Sequence, residues 1–118
     1  MMPKTTDPNQ RKDTRHELTP TQLFTAFAHE RRQLTVAYLA QQPVAISLGD
    51  LAEYIAITEA QPSYEWYERV LTDLAHCHLP QLRDIGLIHY DADAESVALA
   101  VERRVVAPYL ELAGHTDA

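Results

Sequence analysis

One stretch of the sequence, residues 78–91, constrains the fold more than any other. It reads HLPQLRDIGLIHYD, in which a helical spacing of apolar residues gives way at Gly86 to a short β-like run. Glycine commonly ends helices because it adopts the left-handed backbone conformation required there without steric cost. The stretch therefore predicts a helix, a glycine stop and the first strand of a hairpin.

The helix that ends at this junction is predicted to be the longest in the chain. Ser63 follows a loop and supplies a side-chain oxygen that can cap its first turn. Successive residues of an α-helix point about 100° apart, which divides the segment into two faces. The inward face holds Tyr67, Leu71, Leu74, Ala75, His78, Leu82 and Ile85, and the outward face holds Arg69, Asp73, His76, Pro80 and Arg83.

Pro80 bears on whether this helix is continuous. Proline cannot donate the backbone hydrogen bond that an α-helix requires, but on an outward face the carbonyl group left free can be solvated. We expect the helix to bend toward the core there. The alternative, a helix that ends near Leu79 and restarts at Pro80, stays open.

Three shorter helices are predicted before the long one. A capping-box pattern at residues 19–22 starts the first, which runs from Pro20 to about His29. The second runs from about Glu30 to about Gln41, and the third follows an N-cap at Ser47, with one possible β-bridge just before it. The residues predicted to be buried are Leu23, Phe24 and Phe27 in the first helix, Leu34, Ala37 and Tyr38 in the second, and Leu48, Leu51, Ala52, Ile55 and Ala56 in the third.

The residues after Gly86 predict a β-hairpin and a last helix. Two short strands, 87–91 and 96–100, are joined by a polar four-residue connection. The fold class is therefore mainly α with a small β-hairpin, arranged as a winged helix-turn-helix: helices, then the wing, then a C-terminal helix. We expect a disordered polar tail over residues 1–17, a winged-helix domain over 18–101, and a C-terminal helix with a short tail over 102–118.

Charge limits the classes of partner. From Leu18 onward the chain has six arginines and no lysine against fourteen acidic residues. Such a surface is typical of proteins that work in molar salt, where repulsion among surface charges is screened, and the alternative is an ordinary, moderately acidic protein. The tail holds Lys4, Arg11, Lys12 and Arg15, which predict either a basic arm that reaches a DNA minor groove or a solubilising terminus. The sequence has no apolar leader and no membrane-spanning run, so we expect a cytoplasmic protein.

Three blocks of the sequence carry a resemblance. LFTAFAHERRQLTVAYLA, SLGDLAEYI and HLPQLRDIGLIHYD resemble successive parts of the winged-helix repressors of the arsenical-resistance type. Over about residues 18–101 the chain resembles more closely a haloarchaeal family of small winged-helix proteins of unknown function. The resemblance implies a DNA-binding transcriptional regulator that acts as a homodimer at high salt, with double-stranded DNA as its partner.

The resemblance also implies which residues face the DNA groove. Arginine can pair with guanine or phosphate through two hydrogen bonds, whereas threonine and histidine can make single ones. Acidic residues at the wing tip, and a loop longer than the turn of about three or four residues that is usual between such helices, favour an alternative: a winged-helix module that binds a protein and no DNA. The DNA-binding candidates are Arg69, Thr72, Asp73, His76, Cys77 and Arg83, and the acidic wing tip spans residues 91–95.

A stripe of apolar residues on the first and last helices is predicted to pair two subunits. The family analogy and the stripe on the last helix support this expectation. The dimer-interface candidates are Phe24, Phe27, Val106, Tyr109 and Leu110.

Other clusters weigh against catalysis and metal binding. His76, Cys77 and His78 are consecutive, so on a helix their side chains diverge and cannot meet at one ion. Arg31 and Arg32 could contact phosphate or form surface ion pairs. The sequence contains no phosphate-binding glycine loop, paired-carboxylate motif or zinc-protease motif. We therefore expect no enzyme activity, no cofactor and no metal.

Overall fold

The structure of the chain, a computed structural model, describes residues 18–115. The polar tail predicted for residues 1–17 and the last three residues of the chain lie outside this range. None of the helices within it is long and apolar enough to cross a bilayer.

Two short helices, α1 (Pro20–Ala26) and α2 (Glu30–Ala40), open the described chain. The capping box is confirmed. The Thr19 hydroxyl accepts a hydrogen bond from the Gln22 backbone N–H at 3.1 Å, and the Thr19 N–H donates to the Gln22 side chain at 3.0 Å. Two backbone donors that have no partner inside the helix are thereby satisfied, which fixes where α1 begins.

The prediction that Phe24 points inward is wrong. Leu23, Ala26 and Phe27 are buried, whereas Phe24 remains 59% exposed. On one face of a short helix only residues three or four apart lie together, and Leu23, Ala26 and Phe27 already fill that face of α1. Phe24 therefore lies at its edge, where its ring contacts Tyr109 at 5.3 Å between centroids.

Helix α2 is covered on more sides than its sequence pattern suggests. It contacts the third helix, a strand of the sheet and the last helix. Leu34 is buried as predicted, but Ala37 and Tyr38 are only half-buried, and Tyr38 stacks on Tyr54 with centroids 4.3 Å apart. The other buried residues of α2 are Arg32, Thr35, Val36, Leu39 and Ala40.

Strand β1 (Ile46–Ser47) leads directly into helix α3 (Leu48–Thr58). The Ser47 side chain caps α3 by accepting from the Asp50 N–H at 3.0 Å, as predicted. All the residues predicted to be buried in α3 are buried, so the amphipathic pattern fixed its orientation correctly: Leu48, Leu51, Ala52, Ile55 and Ala56.

The long helix, residues 64–84, is continuous but not regular. It consists of α4 (Tyr64–Asp73), a π-helical turn (Leu74–His78) and α5 (Leu79–Asp84), with Ser63 as the N-cap. In the π turn the Leu79 N–H donates to the Leu74 carbonyl, five residues back instead of four. The alternative of a helix that ends near Leu79 and restarts at Pro80 is therefore wrong, and the departure from regular α-helix is a π turn before the proline.

A three-stranded antiparallel sheet follows the long helix. Gly86 ends the helix with φ +86°, the left-handed conformation predicted for it. Strand β2 (Ile88–Asp91) pairs with β3 (Ser96–Leu99), which also pairs with β1, giving the order β1-β3-β2. The predicted hairpin is confirmed, and β1 extends it to a small sheet through the pairing of Ile46 with Val97.

The last helix, α6 (Arg103–Leu112), packs on α1 and α2. Val106 and Leu110, predicted as part of a subunit interface, are buried within the chain, as is Phe27. This corrects the expectation of an exposed stripe, because these side chains already cover the core of one chain. The element order and the small sheet are compatible with a winged-helix fold, with the hairpin as its wing.

Candidate nucleic-acid interface

The outward face of the long helix carries three of the predicted DNA-binding residues. Arg69, Thr72 and His76 are exposed, as their helical positions predict. Arg69 is 65% exposed, and it lies 3.8 Å from the Glu65 carboxylate and 5.8 Å above the Trp66 ring. These contacts hold the guanidinium close to the helix surface but leave its donors accessible to a partner.

Arg83 lies at the opposite end of the same helix, beside the wing. Its guanidinium is 5.7 Å from the ring centroid of Tyr90 in β2 and 3.7 Å from the Asp84 carboxylate. The side chain remains exposed, so Arg83 is the cationic group at the junction between the long helix and the wing.

Asp73 is half-buried and borders the same surface hollow as Arg69 and Thr72, but two side chains of the protein engage its carboxylate. Its Oδ2 accepts from Arg31 Nη1 at 2.8 Å and from His78 Nε2 at 2.9 Å. The π turn explains the contact between Asp73 and His78, because residues five apart in such a turn lie on the same side. A uniform spacing of about 100° per residue places Asp73 and His78 on opposite sides, so the sequence pattern could not show their contact.

Arg31 and Arg32 belong to a polar network instead of a phosphate-binding surface. Arg31 donates to Glu59 at 2.7 and 2.9 Å, and the Trp66 indole N–H donates to the same carboxylate at 2.9 Å. The surface ion pairs considered for both arginines are therefore found for Arg31, whereas Arg32 is only 4% exposed. The network joins α2, the end of α3 and the long helix.

The buried end of this network fixes the protonation of His78. Arg32 Nε donates to His78 Nδ1 at 2.9 Å, and a second nitrogen of Arg32 donates to the Gln81 side chain. An arginine N–H can only donate, so Nδ1 must accept and the ring proton must lie on Nε2, which donates to Asp73. His78 is therefore a neutral histidine held in one tautomer.

The pKa shifts in the network follow from these contacts. Burial lowers the pKa of His78, and the charge of Arg32 lowers it further against the opposing effect of Asp73. The hydrogen bond from Arg31 lowers the pKa of Glu59. Burial works to raise the pKa of Asp73, but the hydrogen bond and charge of Arg31 and the hydrogen bond from His78 overcome it, so that pKa is lowered.

Asp73, Cys77 and His78 also form a group whose donor atoms lie within 4.8 Å of one another. Aspartate, cysteine and histidine are zinc ligands, but the hydrogen bonds here fit a metal poorly. A metal on His78 Nε2 would require the ring proton on Nδ1, which already accepts from Arg32. Arg31 also holds the same Asp73 oxygen that would bind the ion. The described residues therefore offer no competent metal centre at this place.

Acidic groups dominate the rest of the surface around the outward face. Glu65 and Glu68 lie on α4, and the wing tip carries further carboxylates. The Asp91 carboxylate accepts from the N–H groups of Asp93 and Ala94 at 3.0 and 3.1 Å, which holds the acidic tip in a defined turn. Phosphate groups approaching this face would meet two arginines, Arg69 and Arg83, among several carboxylates.

The contribution of Asp73 to the polar network can be tested by removing its charge. We expect Asp73→Asn to lower the free energy of unfolding by about 1–2 kcal/mol, because charge-assisted hydrogen bonds from Arg31 and His78 weaken. Chemical denaturation would measure it, with Glu111→Gln on the exposed face of α6 as the control for loss of one carboxylate. Equal stability of the two variants would show that the network does not depend on the Asp73 charge.

Stability should fall in two stages as the pH decreases. The pKa of His78 is lowered in the fold, so below about pH 6.5 the unfolded chain binds a proton that the folded chain does not, and unfolding is favoured. The pKa values of Glu59 and Asp73 are also lowered, so their contribution is present above about pH 4 and lost below it.

Thermal unfolding across pH would measure both stages. We expect His78→Asn to reduce the first stage and His89→Asn, on the exposed face of the wing, to leave it unchanged. A first stage of equal size in both variants would mean that His78 is not its source.

Comparison with known proteins identifies a family and nothing further. A family model described as a domain of unknown function, DUF7344, matches residues 24–98, which is more than half of the chain. Neither a curated protein nor a solved structure matched the sequence. The matched range includes α2, α3, the long helix and most of the hairpin. The chain therefore belongs to the DUF7344 family.

Proposed function

We propose that the protein is a winged-helix DNA-binding transcriptional regulator of the arsenical-resistance repressor type, suited to the high salt of a haloarchaeal cytoplasm. The observation that carries this proposal is the exposed row of Arg69, Thr72 and His76 on the long helix, next to a hairpin wing. In winged-helix regulators a helix at this place enters the major groove and the wing contacts the flanking backbone.

Each candidate residue has a chemical role in this proposal. Arg69 donates to guanine or phosphate, and Thr72 and His76 make single hydrogen bonds to base edges. Arg83, beside Tyr90 at the base of the wing, pairs with a backbone phosphate. Molar salt weakens the counterion-release contribution to binding, so few basic side chains are expected and base contacts carry more of the affinity.

A second function is favoured by the carboxylates on the same face. Glu65 and Glu68 flank Arg69, and the wing tip is acidic, which opposes the approach of DNA phosphates. In a winged-helix module that binds a protein partner and no DNA, these carboxylates would not repel the partner as they repel phosphates. A DNA titration separates the two functions.

We expect the protein to select specific duplexes from a random library at about 2 M KCl, and Arg69→Ala and His76→Ala to weaken binding to them about tenfold each, the equivalent of about 1.4 kcal/mol. Fluorescence anisotropy would measure the affinity. The matched control is Arg104→Ala, which removes an exposed arginine of α6. If the wild type binds no DNA, or if neither Arg69→Ala nor His76→Ala changes its affinity, the row of Arg69, Thr72 and His76 is not a DNA-binding surface.

The regulator is also proposed to act as a homodimer through α1 and α6. Val106, Leu110 and Phe27 are covered within the chain, but Phe24 and Leu112 are exposed, Leu112 by 78%. Phe24 contacts the Tyr109 ring, and Leu112 lies about one helical turn beyond Tyr109, so we propose that the three belong to one apolar patch. Two copies of the patch related by a twofold axis would cover each other.

Light scattering coupled to gel filtration at about 2 M KCl should give the mass of a dimer. We expect Phe24→Ser together with Leu112→Ser to give the monomer mass. Val44→Ser, which changes an exposed apolar residue away from this patch, should remain dimeric. A monomeric wild type would exclude the dimer.

A further inference from the structure

A groove between α3 and the start of α4 is not used by either proposal above. It has a volume of about 550 Å³ and opens to solvent along the exposed side of α3. Its apolar lining comes from Ile57, Pro62, Tyr64 and Tyr67. We call it the α3–α4 groove.

The groove is lined by large apolar side chains that are exposed to solvent, whereas such side chains are commonly buried in folded proteins. Ile57 is 58% exposed and Tyr64 is 74% exposed, and these are two of the five large apolar residues that are exposed in the described part of the chain. Exposed apolar patches with a polar border mark sites of interaction on soluble proteins, because leaving them in water has a cost in free energy.

The shape of the groove depends on Gly49, in the first turn of α3. A Cβ atom at this position would lie 3.0 Å from the Tyr67 hydroxyl oxygen. The absence of a side chain at Gly49 therefore lets the Tyr67 hydroxyl lie close to the α3 backbone, where both residues line the groove.

Two carboxylates line the groove, a third lies next to it on α4, and none of the three has a cationic partner among residues 18–115. Asp50 and Glu53 lie on the α3 side. The Glu68 carboxylate lies on the α4 side, where its hydrogen bond with the Tyr64 hydroxyl raises the pKa of that tyrosine. The negative charge of Asp50 lies in the first turn of α3, where the helix dipole favours it. The charges of Glu53 and Glu68 have no such stabilisation.

We propose that the α3–α4 groove binds a short segment of a partner protein in which apolar side chains alternate with lysine or arginine. The apolar side chains would cover Ile57 and Tyr64, and the cationic side chains would pair with Asp50 and Glu53. The charge of the rim decides the class of partner, because it repels nucleic acid and acidic peptides and attracts cationic ones.

The α4 side of the groove and the row formed by Arg69, Thr72 and His76 lie on different sides of the long helix. Tyr64 and Tyr67 are three residues apart and lie on one side of α4, whereas Arg69 lies more than a quarter turn away from them. This inference shares one requirement with the second proposed function, namely that the chain binds a protein partner. It holds whether or not the chain also binds DNA. Changes in the groove should therefore leave DNA affinity unaltered.

The test uses the full-length, isotope-labelled protein and a capped peptide that alternates lysine and leucine. At about 0.5 M KCl, where long-range charge effects are screened, we expect peptide-induced shifts of the amide resonances of α3 and of residues 62–67. A peptide that alternates lysine and alanine has the same charge and should bind at least about tenfold more weakly, because it cannot cover the apolar lining.

Three variants separate apolar contact from charge. We expect Asp50→Asn with Glu53→Gln, and separately Ile57→Ser, to weaken binding about tenfold each. Asp93→Asn with Glu95→Gln removes the same charge from the wing tip and should change binding less than about twofold. All the substituted side chains are exposed, so a native-like spectrum is expected for each variant.

Several results would overturn the proposal. Attraction by net charge alone would be shown by any of three results. The groove and wing-tip variants would weaken peptide binding equally, the peptide of lysine and alanine would bind as tightly as that of lysine and leucine, or the resonance shifts would be centred outside the groove. Concentration-dependent shifts of the groove without peptide would identify a second copy as the occupant. Contacts from residues 1–17 to the groove would identify the chain's own segment. Failure of the DNA titration would leave all of these readings unchanged.

Discussion

The Asp73 carboxylate connects elements that the chain places far apart. One of its oxygens accepts from Arg31 of α2 and from His78 of the π turn, and Arg31 also pairs with Glu59 at the end of α3. Removing one member would leave the others as partly buried polar groups without partners, which is costly. The rotation of the long helix about its own axis, and so the identity of its outward residues, depends on these contacts.

This network also explains why the proposed interface is poor in positive charge. Of the six arginines in the described chain, Arg31 and Arg32 are engaged between helices, and Arg103 and Arg104 lie on α6. Only Arg69 and Arg83 remain near the outward face of the long helix. Recognition of DNA by this face would therefore depend on the geometry of a few contacts, and a protein partner would meet a mainly acidic surface.

Local signals in the sequence predicted most of the fold. The caps at Thr19, Ser47 and Ser63, the buried stripe of α3 and the glycine stop at Gly86 all follow from interactions between residues close in the chain. Such interactions can be read from spacing because they require no knowledge of what packs above them.

The errors have a common origin in tertiary contacts. The contact of Asp73 with His78 depends on a π turn, and only Pro80 gave a sign of irregularity there. The stripe of α6 was correctly identified as apolar, but a sequence cannot say whether such a stripe covers its own core or another subunit. The burial of Arg32 likewise depends on His78 and Gln81, which are far from it in sequence.

Trp66 gives this arrangement a spectroscopic consequence. It is the single tryptophan of the chain, its indole N–H donates to Glu59, and its ring lies 5.8 Å from the guanidinium groups of both Arg31 and Arg69. Its fluorescence emission therefore originates from the place where the polar network meets the outward face of the long helix. Quenching or a spectral shift would report the opening of that junction or the engagement of Arg69, without any label added to the protein.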